Sequence, residues 1–73
     1  MVSENEIAEL KEKAKAIDKE ILEANPSAAT GACWAKAGSS SDCVGVMTKE
    51  TCYKVWDSPP YEVTAWKEGE SCP

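Results

Sequence analysis

Four cysteines, Cys33, Cys43, Cys52 and Cys72, all lie beyond residue 32 of a 73-residue chain, spaced C-x9-C-x8-C-x19-C. A chain this short buries only a little over ~60% of the surface its unfolded form exposes. A single apolar core rarely holds such a unit, so cross-links are expected. The spacing argues against metal. Zinc sites aim two thiolates at one ion from a tight turn, with two to four residues between them, and iron–sulfur sites cluster similarly. Neither pattern occurs, so no metal and no cofactor is expected. An even cysteine count in a short chain instead predicts two disulfides, and with them an oxidising location: extracellular, periplasmic or cell surface. Four cysteines allow three pairings. The preferred one is Cys33–Cys52 with Cys43–Cys72, an interlocked pair closing loops of roughly 20 and 30 residues, each worth about 3–4 kcal/mol in the chain-entropy model.

The remaining composition excludes several functions. Net charge is −5, from 13 acidic and 8 basic residues, and every basic residue is lysine. No cationic stripe offers itself to phosphate, so no nucleic-acid partner is expected. No apolar run approaches a membrane span. The charged N-terminus is no signal peptide, so an exported chain would need a leader removed or replaced. Histidine is absent, which removes the commonest general base and rules out a Ser-His or Cys-His nucleophile. Glu62 and Glu68 are candidates for a glycosidase pair, but a unit this small has little room to shape a cleft around a sugar. No catalytic residue is assigned, and the chain is read as a non-enzyme.

Residues 1–25 read as an amphipathic helix. Ser3 and Glu6 have capping-box spacing, and Asn25-Pro26 ends the segment. Ile7, Leu10, Ala14, Ile17 and Ile21 fall at alternating steps of three and four, an a/d seam. Such a seam packs on its own domain or pairs with a partner helix or a second copy. Residues 26–32 are small, with Pro and Gly, and read as a linker or hinge.

Residues 33–73 read as a cysteine-rich stapled module. "ACWAKA" predicts a strand with Cys33, Ala35 and Ala37 on one side and Trp34 and Lys36 on the other. "GSSSD" is a turn and "CVGVM" a second strand. Thr48 is a plausible N-cap for a short helix on which Cys52, Val55 and Trp56 share a face. "YEVTAW" predicts a third strand, with Tyr61, Val63 and Ala65 opposite Glu62, Thr64 and Trp66. The expected class is small disulfide-rich α+β: an N-terminal amphipathic helix plus a β-β-α-β unit.

"GACW", a cysteine after a polar turn, "TKETC" and "AWKEGESCP" together resemble the short cysteine-rich modules of predicted bacterial surface proteins. The likeness runs from Gly31 to Cys72. Where those modules carry paired cysteines after the first glycine, Trp34 takes the second place here. The resemblance implies a folded, oxidised module and no activity. "YEVTAWKEGESCP" is also similar to the last strand of small chitin- and cellulose-binding modules, which implies Trp faces presented for sugar stacking.

Five aromatics, Trp34, Tyr53, Trp56, Tyr61 and Trp66, must supply most of the bulk around the disulfides, since Phe is absent. Burial of each removes ~150–250 Å² from water, so most are expected in the core. Trp34, Trp66 and Tyr61 are the candidate binding residues should they stay exposed. The reading is a non-catalytic interaction module with a protein partner or a second copy on the helix seam. The alternatives are a carbohydrate-binding module, and a precursor peptide with a helical leader and a modified Cys/Ser/Thr tail.

Overall fold

The computed structural model describes residues 4–73. Helix α1 spans Glu4–Ala24, strand β1 Thr30–Ala37, strand β2 Ser41–Thr48, helix α2 Lys49–Trp56 and strand β3 Tyr61–Glu68. The Ser3 half of the capping box lies outside the described residues. The strands form one antiparallel sheet in the order β2-β1-β3. One face carries both helices and the other carries none. Two disulfides, Cys33–Cys52 and Cys43–Cys72, complete a small disulfide-rich α+β fold with the pairing preferred from the sequence.

Each element follows from its residues. α1 stops at Ala24 because the residue before Pro26 is pushed out of helical conformation. Gly38, at φ 91°, turns the β1–β2 hairpin through a backbone region that side chains disfavour. Thr48 ends β2 and caps α2, its hydroxyl accepting from the Thr51 amide. The Pro59–Pro60 bond is cis, and the Tyr61 amide donates to the Ser58 carbonyl at 2.8 Å as β3 begins. The stretch read as a linker is shorter than expected, since β1 already begins at Thr30.

The core lies between the sheet and the helices. Cys33, Cys52, Val55 and Trp56 are at most 1% exposed, with Ala14, Ala35 and Met47 around them. Cys33–Cys52 runs through the middle of this core and ties the central strand to α2, so it works as packed bulk as well as a cross-link. The α1 seam packs on the same core: Ala14 is buried in it, and Ile7, Leu10 and Ile17 lean against it. Of the two fates open to the seam, packing on its own domain is the one seen. α1 and the cysteine-rich part therefore share one core.

The faces of β3 depart from simple alternation. Trp34 pairs with Ala65, but Ala35 pairs with Val63, leaving Thr64 as an extra residue in a bulge. A bulge inverts the face of every residue beyond it. Tyr61 and Val63 face the helices as expected. Trp66, expected opposite Val63, comes to the same side, paired with Cys33 and packed on the core. Its indole N–H donates to the Met47 carbonyl on β2 at 2.9 Å, reaching across β1 at the level of Gly31. A methyl group on Gly31 would press on the backbone of Lys67 and lie 2.7 Å from Glu68 Cα, so the strands close tightly only around a glycine.

Candidate functional site

The sequence-derived site residues do not converge. Trp66 points to the core, and Tyr61 is half-buried beside Trp56 in an edge-to-face contact with centroids 5.3 Å apart. Trp34 lies on the opposite, helix-free face, half-buried, with the Lys67 ammonium 5.8 Å from its ring centre. Trp34 and Trp66 therefore form no shared stacking platform; the Thr64 bulge separates them. The tail after Gly69 crosses β1 on its way to Cys43 on β2. Ala32 is only 1% exposed although it lies on the helix-free face.

The surface that the fold does build is a groove between α1 and β2, of about 620 Å³. Ala14 and Leu22 on α1 and Val44 and Met47 on β2 give it an apolar floor. Val46, at the β2 lip, is half exposed. Lys11, Lys15 and Lys19 rim it from the helix side, one turn apart from each other as i, i+4 and i+8 on a helix must be.

The groove's walls are tied to each other at one end. Asp18 Oδ1 accepts from the Thr48 amide at 2.9 Å, the Thr48 hydroxyl at 2.8 Å and the Thr51 hydroxyl at 2.8 Å. Thr48 and Thr51 are both buried. One carboxylate thus joins α1 to the last residue of β2 and to the first turn of α2, where a negative charge is favoured by the helix dipole. Asp18 carried no signal in the sequence reading. It lies beside Ile17 in the seam, and only docking of α1 on the β2–α2 corner brings three donors to it. The groove is not legible in the sequence either, since Lys11, Lys15 and Lys19 come to stand along β2 only when α1 docks.

A second cleft, of about 560 Å³, opens between Ile7 and Lys11 of α1, the β1–β2 turn and Tyr61. Trp56 and Tyr61 border it. The Trp56 Nε1 and Tyr61 Oη atoms are without a hydrogen-bond partner among the described residues, as is Trp34 Nε1, and all three are sealed from solvent. Burial, together with the negative charge of Glu6, raises the Tyr61 phenol above its ordinary pKa.

Among the described residues no group of three or more His, Cys, Asp or Glu side chains is placed to hold a metal ion. No helix among them is long and apolar enough to cross a membrane. Fold and cross-links place the chain among small disulfide-rich α+β proteins. Comparison with protein-family models, curated proteins and solved structures finds no match to it.

Proposed function

We propose that this chain is a non-catalytic binding module, a disulfide-stapled scaffold acting in an oxidising compartment, that presents the α1–β2 groove to a protein partner. The observation carrying this reading is the groove itself: half-buried Leu22 and Val44 above buried Ala14 and Met47, between walls held by the Asp18 link. A preformed site of this kind binds with little ordering cost. The extracellular, periplasmic or surface location is supported by the two disulfides, which persist outside reducing cytosol.

The rival readings have less to stand on. Sugar stacking loses the paired tryptophans it was built on, since Trp66 turns inward. A precursor tail must reach a modifying enzyme in extended form, whereas here Ser41, Thr48, Thr51 and all four cysteines belong to a folded, cross-linked unit.

The test is selection of peptides from a random displayed library against the oxidised protein, counterscreened on Leu22→Asp and Val46→Asp. Leu22 is half-buried and Val46 half exposed, and circular dichroism checks that the variants stay folded. Enriched peptides that lose binding to these variants support the groove. Absence of enrichment, or binding indifferent to both substitutions, overturns it.

A further inference from the structure

We infer that the groove's occupant is an extended acidic peptide segment that joins the sheet as a fourth strand on the free edge of β2. The inference rests on the binding-module reading and adds the chemistry of the partner.

Three observations support it. First, β2 pairs only with β1, so it is an outer strand of the sheet. Its outward N–H and C=O groups are a template for another strand. Residues 44–47 of that strand form the groove wall, with Val44 as the extra residue of a bulge between the Cys33–Gly45 and Trp34–Cys43 pairs. The Thr48 amide just beyond is taken by Asp18, so the edge beside a peptide seated in the groove is the short stretch 44–47. Second, the dimensions fit. α1 from Lys11 to Glu23 runs about 18 Å at ~1.5 Å per residue, which matches roughly five or six residues of strand at ~3.3 Å each. Alternate side chains of such a segment would reach the half-buried Leu22 and Val44.

Third, the charge is complementary. Lys11, Lys15 and Lys19 are three of the 8 basic residues on a chain of net charge −5, and all three are gathered at this rim. The carboxylates lining the groove are Asp18 and Glu23. Asp18 is committed to Thr48 and Thr51, and Glu23 lies at one end. Lys15 also pairs with Glu12 at 3.8 Å, both well exposed, a contact weak enough to be exchanged for a partner's carboxylate. The opposite edge strand, β3, has no such row of lysines: Glu62 is paired with Lys36 at 3.4 Å, and Glu68 follows the single Lys67.

The experiment titrates the isotope-labelled, oxidised full chain with capped octapeptides, followed by amide chemical shifts. One peptide alternates valine with glutamate, one alternates valine with lysine, and one repeats the first with alternate backbone nitrogens methylated. The glutamate peptide is expected to shift amides of residues 44–47 and of α1. Its affinity should fall at least about fivefold in Lys15→Glu/Lys19→Glu, and fall again with added salt. The methylated peptide should bind at least about tenfold more weakly, because it cannot complete the ladder. Equal or tighter binding of the lysine peptide at the same residues overturns the acidic occupant while leaving the groove as a binding site. Equal binding of the methylated peptide overturns strand pairing. If no peptide shifts residues 44–47 in the folded protein, the groove reading falls together with this one.

Discussion

At the scale of single residues, Asp18 and Tyr61 show how much depends on where a polar atom ends. Asp18 Oδ1 and the Thr48 and Thr51 hydroxyl oxygens lie within 2.9 Å of one another. Two hydroxyls carry two protons, and both are satisfied when each donates to the carboxylate while Thr48 Oγ1 accepts from the Thr51 amide. Removing the acceptor strands buried donors at about 1–3 kcal/mol apiece, less where water enters. Asp18→Ala should therefore lower unfolding stability by about 2–3 kcal/mol, and Asp18→Asn, which keeps one acceptor, by about half that. Urea unfolding with the disulfides intact measures both. Tyr61 gives a pH prediction. Its folded pKa is raised, so the proton is held more tightly in the folded state. The resulting stability is fully present below the unfolded value near ~10 and is lost as pH rises through the folded pKa. Absorbance titration of a Tyr53→Phe variant, in which Tyr61 is the sole phenol, should find ionisation displaced to higher pH than in the urea-unfolded chain.

At the scale of elements, periodicity was a good guide to type and a poorer guide to face. The three-four steps of Ile7, Leu10, Ala14 and Ile17 mark a helix with a dry stripe, and the structure has one. They leave open what covers the stripe, because a coiled-coil seam and a core-facing stripe share one pattern. Ala14 separates the two by sign. It is 4% exposed, so Ala14→Leu should overpack and destabilise by about 1–3 kcal/mol, without raising the mass seen by light scattering. Were the stripe an interchain seam, the same change would tighten it and raise the mass seen by light scattering. β3 teaches the converse lesson. Its strand signal was legible in "YEVTAW", yet Trp66 lies on the face that alternation denies it. The extra residue at Thr64 is specified by pairing with β1, and no local pattern announces it. The Ser41 and Thr64 hydroxyls, 2.7 Å apart, bridge the outer strands at that point.

At the scale of the whole molecule, the two staples do different work. Cys33 and Cys52 are wholly buried, whereas Cys43 on β2 and Cys72 in the tail are half-buried. Thiol–disulfide exchange needs a thiolate to reach a sulfur. Under mild reductant the native protein should open Cys43–Cys72 first and keep Cys33–Cys52 until it unfolds. Alkylation and peptide mapping over time would read the order, and simultaneous loss of both would contradict it. Cys33–Cys52 closes a 19-residue separation inside the core, and Cys43–Cys72 a 29-residue one over the helix-free face. Losing the first removes both chain constraint and core packing, so a Cys33→Ala/Cys52→Ala variant should be the more damaged of the two double variants. Thermal unfolding followed by circular dichroism compares them.

The amino-acid sequence by itself determined the elements, their order, the need for cross-links and the acidic surface. These follow from short-range causes: propensity, capping, turn chemistry, and a chain too short to rely on apolar burial alone. Only the tertiary structure decided that Trp66 turns inward, that Asp18 gathers three donors, and that a lysine-rimmed groove stays open along β2. Each of those depends on strand register or on the docking of α1. Register and docking are settled by contacts between residues far apart in the chain, which no local pattern encodes.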